Sequence, residues 1–417
     1  MKYAVVGFGT AGYHAVKKIR ELDKEGCIDV YSNTGRAPYN PMLTTYYAFG
    51  KLEYEGMFPF GDLEQIQKEV DFNLRREQVI KVHGSEHLVE TENGSEQYDR
   101  ILIATGARAF APPVKGLEPE DAFLMRTVED ALRFKDRLKK NDIKHAVVIG
   151  ASMAGIKVVE VLHKYGIETW LLDLASYIFP LAAYKEVAKE IEKRVEAQGV
   201  HLMFGVTIDH MEQENGEKTA VLTDGSRIPA DIVGLCIGTR AITETVQGEV
   251  EIGRGIVVDD HMRTSVPGIY AAGDCCEGNN LESGQNQIIG LWANAGVQGR
   301  VAGRNMAGLP DETDGNILHN ITHFLDMDFI GLGDNRLTGD VRTYLAPDKG
   351  FYLQTVLKDG RPVGFNILDN YGVSGILKAH LIRLLRGQPC RFTPEQRGQL
   401  IRYGLEESFI DQLEATI

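Results

Sequence analysis

Two short glycine-rich segments carry the strongest chemical signals in this chain. Residues 7–12 read GFGTAG, and residues 150–155 read GASMAG. In the first, Gly7, Gly9 and Gly12 hold the G-x-G-x-x-G spacing. Gly7 permits a tight turn, Gly9 lets the backbone approach a pyrophosphate, and Gly12 lets a helix pack close to a strand. Thr10 and Ala11 open that helix, whose positive end would meet the phosphates. In the second segment Ser152 replaces the middle glycine, and Met153 and Ala154 lead to Gly155. Serine adds only a small side chain, and its hydroxyl could face a phosphate. About twenty residues on, Asp173 closes the run TWLLD. A carboxylate there accepts hydrogen bonds from a ribose 2′-hydroxyl and repels a 2′-phosphate. Ala175 and Ser176 follow, with no arginine to bind that phosphate. The bland alternative for Asp173 is a helix cap or a loop carboxylate. After the second strand of the first copy stand Ser32, Asn33 and Thr34, with no acid, so a neutral side chain must meet a ribose there.

These residues need a strand before the turn and a helix after it. Tyr3 to Val6 is a short apolar run, Gly12 to Leu22 has helical texture, and Ile28 to Tyr31 is a second strand. The order recurs with a strand at His145 to Ile149, a helix at Gly155 to Lys164 and a strand at Thr169 to Leu172. Two copies of strand, turn, helix and strand predict two parallel-sheet nucleotide-binding domains. From about Asn316 the texture changes: strands are expected at Tyr352 to Leu357 and Pro362 to Ile367, then helices at Ser374 to Leu385 and Thr393 to Tyr403.

Composition narrows the classes. The 417 residues are 43% hydrophobic and 25% charged, as in a soluble globular protein long enough for two or three domains. A net charge of -14 argues against a nucleic-acid partner. No apolar run is long enough to span a bilayer. The opening MKYAVVGFG begins a strand at once, leaving no room for a signal peptide, and the five cysteines include no C-x-x-C. Cytoplasm is the expected compartment.

Two further segments fix a resemblance. Residues 98–107 read YDRILIATGA and residues 264–274 read TSVPGIYAAGD. With the two glycine turns, in this order, they resemble the pyridine nucleotide-disulfide oxidoreductase superfamily over about the first three quarters of the chain. The resemblance implies FAD on the first turn and NAD(H) on the second, with Gly238 on the NAD side. It makes Ala104, Thr105 and Gly106, with Arg108 just beyond, part of a crossover beside the FAD. It assigns Gly273 and Asp274 to the ribitol chain, and adds Asn40 and Thr45 as FAD contacts. Residues 291–308, LWANAGVQGRVAGRNMAG, resemble the family helix whose N-terminus, here Trp292 and Ala293, faces the flavin ring. A helix N-terminus there would stabilise negative charge on a reduced flavin.

The family divides by what accepts electrons from the flavin. Disulfide reductases carry a cysteine pair, and certain NADH oxidases and coenzyme A disulfide reductases a single reactive cysteine, soon after the first nucleotide-binding unit. Here the segment reads APYNPMLTTYYAFGK, which puts Met42 at the cysteine. A thioether forms no thiolate, so sulfenate and disulfide chemistry are excluded at that position. The APYN segment resembles instead the PY motif of rubredoxin and ferredoxin reductases and of the nitrite reductase flavin domain, which pass electrons to one-electron carriers. The chain has no cysteine cluster of its own, so an iron–sulfur or other carrier must be a separate protein or subunit. A narrower resemblance is to the flavin (epsilon) subunits of anaerobic, NADH-dependent 2-oxoacid dehydrogenase complexes of the phenylglyoxylate type. Family members often pair a lysine after the PY motif with a glutamate after the second glycine turn. Here Tyr46 stands at the lysine and Lys157 at the glutamate. The expectation is that Lys157 stabilises reduced flavin and Tyr46 packs at the ring edge, against the alternative that Lys157 points to solvent.

Three weaker constellations remain. Cys275 and Cys276 are adjacent, and two packed thiols are favoured over a redox pair. His319, His323, Asp326 and Asp328 lack a recognisable metal-ligand set, so no metal is expected. Lys378, Arg383, Arg386, Arg391, Arg397 and Arg402 face a single acid, Glu395, between residues 378 and 402. That segment is either a dock for an acidic carrier or a solvated helix face. The expected class is α/β, with two doubly wound Rossmann-like dinucleotide-binding domains, FAD at residues 1–110 and 240–315 and NAD at 111–239, then an α+β interface domain at 316–417. The expected activity is electron transfer between NAD(H) and a one-electron carrier through FAD, within an oligomer or complex. Direct reduction of oxygen or peroxide, and a non-catalytic redox-sensing role, stay open as alternatives.

Overall fold

The computed structural model describes residues 1–335, 339–346, 351–388 and 391–414. They form two compact units, one of Met1–Arg108 with Thr239–Asn316 and one of Ala109–Gly238 with Ile317–Ile417. Residues 317–417 fall in the same unit as the second glycine turn.

The first unit is built on a five-stranded parallel sheet. Its order is Ile269–Ala271, Arg100–Ile103, Lys2–Val6, Cys27–Tyr31 and Asn73–Arg75. Tyr3, Ala4 and Val5 are fully buried, as a central parallel strand covered on both faces requires. The helix Thr10–Leu22 follows the first strand and buries Ala15, Val16 and Ile19. It packs on the helix Trp292–Met306. Glycines allow the close approach: a Cβ on Gly299 would lie 2.2 Å from the Ala11 carbonyl oxygen, and one on Gly303 2.7 Å from that of Ala15.

The second unit repeats the plan in the order His201–Phe204, Glu168–Asp173, His145–Ile149, Ile232–Leu235 and Ala122–Phe123, again all parallel. The helix Met153–Lys164 follows its central strand. The same unit holds a five-stranded antiparallel sheet ordered His319–Phe324, Met327–Gly333, Arg361–Leu368, Phe351–Lys358 and Asp340–Ala346. Helices Ser374–Leu385, Pro394–Arg402 and Glu407–Glu414 complete it. The architecture is α/β with two doubly wound Rossmann-like sheets and a C-terminal α+β portion. Among the described residues no helix is long and apolar enough to cross a membrane.

Candidate functional site

The first glycine turn sits where the central strand ends. The Gly7 N–H donates to the Tyr31 carbonyl at 2.9 Å, and Gly7 has φ +103°. A Cβ there would lie 2.3 Å from the Ala104 carbonyl oxygen, which belongs to the ATG segment. A Cβ on Gly12 would lie 2.2 Å from the Gly7 carbonyl oxygen. At Gly9, by contrast, a Cβ meets nothing within 4 Å, and Gly9 caps the helix with no side-chain hydrogen bond. The helix N-terminus therefore opens onto free space. Beside it the Thr10 hydroxyl oxygen is buried without a protein partner. An uncapped helix end, an open approach and an orphaned hydroxyl fit a bound pyrophosphate.

The other residues expected around FAD lie in the same unit. Gly273, at φ +89°, approaches Ala11 so closely that a Cβ would sit 3.2 Å from the Ala11 methyl group. Half-buried Asp274 follows. Ala104 is buried, and the Thr105 hydroxyl donates to the Ile242 carbonyl at 2.6 Å. Gly106, at φ +70°, accepts from the Ile242 N–H through its carbonyl. Arg108 forms an exposed ion pair with Glu244 at 2.5 Å. Of the ribose candidates, Ser32 and Thr34 share a 3.3 Å hydroxyl contact, and the Asn33 amide donates to Gln78. The Asn40 side chain accepts from the Met42 N–H at 3.0 Å, and the buried Thr45 hydroxyl donates to the Met42 carbonyl. Met42 is 48% exposed at the cap of the helix Leu43–Phe49, and Tyr46 lies one turn in, with the Lys51 ammonium 5.7 Å from its ring centroid.

The helix Trp292–Met306 begins at Leu291 without a side-chain cap, leaving Trp292 and exposed Ala293 in its first turn. The Trp292 ring stacks on Phe60 at 5.5 Å, and Phe60 stacks on Tyr13 at 4.2 Å. No sequence signal announced this column, because Phe60 lies in a loop far from both helices in the chain. His14 meets Phe60 edge-on. Burial, then Arg300 and Lys17, push its pKa down to about 4.

The second turn follows the same backbone plan with different side chains. The Gly150 N–H donates to the Leu172 carbonyl at 2.7 Å, and a Cβ on Gly155 would lie 1.9 Å from the Gly150 carbonyl oxygen. Ser152 departs from the expectation that its hydroxyl faces a phosphate. Its Oγ donates to the Cys236 carbonyl at 2.9 Å and accepts from the Gly155 N–H at 3.2 Å, so it caps its own helix. Met153 and Ala154 form the first turn of that helix, and Gly238, at φ +108°, faces open space. Half-buried Asp173 ends its strand and accepts from two backbone N–H groups, Ala151 at 2.8 Å and Ala175 at 2.8 Å. A carboxylate so fixed keeps lone pairs for a ribose diol. The open Gly238 position and this oriented acid fit a bound NAD(H).

Lys157 is 3% exposed, which excludes the alternative that it points to solvent. Its ammonium pairs with buried Glu160 and donates to the His323 carbonyl at 2.7 Å. The pair is neutral, so the lone positive charge expected from the sequence is cancelled within its own unit. The reason is helical geometry: positions three apart share a face, and both side chains turn inward.

The remaining constellations resolve simply. Cys275 and Cys276 are free and buried, their sulfurs directed at the backbone carbonyls of Ile103, Ala272 and Gly273. A hydrogen bond with the adjoining Cys275 thiol, and then burial, push the Cys276 thiol well up. The His323 ring bonds Asp328 at 2.9 Å, and His319 lies 3.2 Å from the Lys378 ammonium, its pKa pushed down to about 4 by burial. Among the described residues no group of three or more His, Cys, Asp or Glu is placed to hold a metal ion. The basic segment carries less net charge than its sequence window implied. Arg397 pairs with Asp411 and Glu414 from the following helix, which lies beyond residue 402 in the chain but beside it in space.

Comparison with known proteins agrees with this geometry. Residues 1–299 match the family model described as pyridine nucleotide-disulphide oxidoreductase. The epsilon subunit of NADH-dependent phenylglyoxylate dehydrogenase from Aromatoleum evansii is 28% identical over 398 residues, covering 94% of this chain and 93% of that one. An NADH oxidase from Methanocaldococcus jannaschii is 27% identical, covering 74% and 70%. The ferredoxin–NAD(+) reductase component of a 3-phenylpropionate/cinnamic acid dioxygenase from Photorhabdus laumondii is 28% identical, covering 74% and 78%. Among solved structures, an NAD-dependent persulfide reductase from A. fulgidus superposes with a TM-score of 0.86 at 24% identity, over 93% of this chain and 77% of that one, which shows a shared fold. The chain belongs to the pyridine nucleotide-disulphide oxidoreductase family and is an FAD-containing NAD(H) oxidoreductase.

Proposed function

We propose that this member of the family exchanges hydride with NAD(H) and single electrons with a separate iron–sulfur or ferredoxin-like protein, with FAD between them. We propose further that it is the NAD-linked flavin subunit of an anaerobic 2-oxoacid dehydrogenase complex of the phenylglyoxylate type. The observation that carries the reading is Met42. It stands half-exposed at the helix cap where single-cysteine relatives place their reactive thiol. No thiol at that position can take electrons from a flavin, so they must leave the chain. Similarity to the epsilon subunit over nearly the whole of both chains, and to a ferredoxin–NAD(+) reductase component, supports the same direction.

In this reading residues 1–110 with 240–315 hold FAD, 111–239 hold NAD(H), and 316–417 form the interface portion. Bound FAD supplies the conversion between two-electron and one-electron transfer. The turn at Gly7, Gly9 and Gly12 and the Thr10 hydroxyl receive the pyrophosphate, and Asp274 receives the ribitol. The uncapped helix start at Trp292 would offer its N–H groups to the negative charge of a reduced flavin. Asp173 selects NAD(H) by accepting from the ribose hydroxyls and repelling a 2′-phosphate.

Anaerobic mixing with NADH should bleach the flavin, and a low-potential ferredoxin should then reoxidise it much faster than air does. A reductive titration should consume about two electrons per chain, those of the flavin alone. Rapid oxidation of NADH by air, with no gain from any carrier protein, would replace this reading with that of an oxidase. A four-electron titration would bring Cys275 and Cys276 into the chemistry. Failure of NADH to bleach the flavin would leave a non-catalytic role.

A further inference from the structure

The segment after Asp173, residues 174–184, is held by the C-terminal antiparallel sheet of the same unit. Asn366 is 1% exposed, and its side chain bonds that segment through both ends of its amide, its Nδ2 also donating to the Phe365 carbonyl at 3.1 Å. Its Oδ1 accepts from the Tyr184 N–H at 2.7 Å, and its Nδ2 donates to the Ala182 carbonyl at 3.0 Å. The Asn335 amide donates to the Pro180 carbonyl at 2.9 Å and to that of Ala183 at 2.8 Å. The sheet surface is shaped for close approach, since a Cβ on Gly331 would lie 2.8 Å from the Ala182 carbonyl oxygen. Phe179, 1% exposed, stacks on Phe329 at 5.3 Å and meets Phe324 edge-on at 5.4 Å.

Phe179 also has φ +55°, a left-handed conformation that a bulky residue adopts only when its surroundings impose it. In that conformation its N–H donates to the Ala151 carbonyl at 2.8 Å, and the Ala151 N–H in turn donates to the Asp173 carboxylate. A continuous series of contacts therefore runs from Asn366 and the two phenylalanines, through Phe179 and Ala151, to the acid that meets the ribose.

We infer that Asn366, with Asn335, is a positioning residue for dinucleotide choice: the C-terminal sheet holds residues 174–184 and thereby orients Asp173 for the ribose diol of NAD(H). This rests on the reading of Asp173 as the NAD-selecting acid. A rigid acid contributes to affinity only if its lone pairs are aimed before the ligand arrives. Loosening the segment should weaken NAD(H), which the carboxylate attracts, more than NADP(H), which it repels.

The test is direct binding of NAD+ and NADP+ to the oxidised holoprotein by calorimetry, with no turnover. Asn366→Ala should raise the Kd for NAD+ about tenfold, the equivalent of about 1.4 kcal/mol, and change that for NADP+ by much less. Asn335→Ala, at a half-buried residue, should do the same to a smaller extent and guards against a folding failure of the first variant. In steady state both should raise KM for NADH while kcat at saturation holds. Leu400→Ala, at the buried position of the helix Pro394–Arg402, should lower Tm without moving the NAD+/NADP+ ratio. Folded variants at both asparagines that keep the wild-type ratio overturn the inference and leave Asp173 in place. Equal binding of NAD+ and NADP+ by the unmodified protein would instead remove the Asp173 reading, and this inference with it.

Discussion

The two glycine turns share a backbone and divide at two side chains. In each, the first glycine sits at φ near +100°, with +103° at Gly7 and +104° at Gly150, and its missing Cβ makes room for a carbonyl of the returning strand, Ala104 or Cys236. In each, the third glycine packs on the carbonyl of the first. The middle position separates them. Gly9 leaves its helix start uncapped, whereas the Ser152 hydroxyl caps its own helix and ties it to Cys236. Two residues past the third glycine the first copy has a neutral histidine, His14, and the second a buried ion pair, Lys157 with Glu160. The first turn thus leaves its N-terminal N–H groups to a ligand. The second satisfies part of that demand internally, and on the proposed reading its selectivity rests on Asp173.

The largest effects should come where the copies agree. Gly7→Ala and Gly150→Ala each force a Cβ to within 2.3 Å and 2.4 Å of a backbone carbonyl oxygen, at a φ that alanine resists. Each should cost about 4 kcal/mol in chemical denaturation. A large inequality between them would show that the two turns are not equivalent after all. Lys157→Met comes next. It strands Glu160 in a buried site and should cost about 3 kcal/mol. The flavin midpoint potential is expected to hold in the double variant Lys157→Met/Glu160→Gln, which removes the pair without leaving a net charge. A clear drop would mean that the Lys157 charge reaches the flavin.

Asp173→Ser should erode the preference for NADH over NADPH by about tenfold, in the ratio of kcat/KM values. A faster reaction of the unmodified protein with NADPH would contradict the assignment. His14 should leave a smaller, pH-dependent mark. Its folded pKa of about 4 lies below its unfolded value, so its contribution is intact above the unfolded pKa and declines as pH falls toward 4. His14→Gln should flatten that part of the Tm profile. The smallest effects are reciprocal. Ser152→Gly should cost about 0.5 kcal/mol as a lost cap, and Gly9→Ser should stabilise the apoprotein by a similar amount. The serine at position 9 should also weaken FAD retention, because its side chain enters the space that the pyrophosphate needs.

Where chemistry is local the sequence was legible. The strand expected at His145 to Ile149 and the helix expected at Ser374 to Leu385 match the structure residue for residue, and the first helix begins only two residues earlier than expected. Period and glycine spacing fix such elements within a few turns of chain. The small antiparallel sheet of Val79–His83, Leu88–Thr91 and Gly94–Gln97 was not anticipated, because its strands alternate polar and apolar residues too briefly to stand out. Ser152 was legible as a departure from the motif but not in its role, since the Cys236 carbonyl it bonds lies 84 residues away.

Sequence alone determined the two nucleotide turns, the acid at Asp173 and the thioether at Met42, because each depends on residue type and short spacing. Tertiary structure decided what those residues touch. It turned Lys157 onto Glu160 and the His323 carbonyl, placed Asp411 and Glu414 against Arg397, and brought Asn366 to the backbone of Ala182 and Tyr184. Those contacts join segments up to 184 residues apart, and no pattern of period or propensity within either segment encodes its partner. They follow from burial: once the C-terminal sheet covers residues 179–184, every amide and charge shut away from water must find a partner at hand.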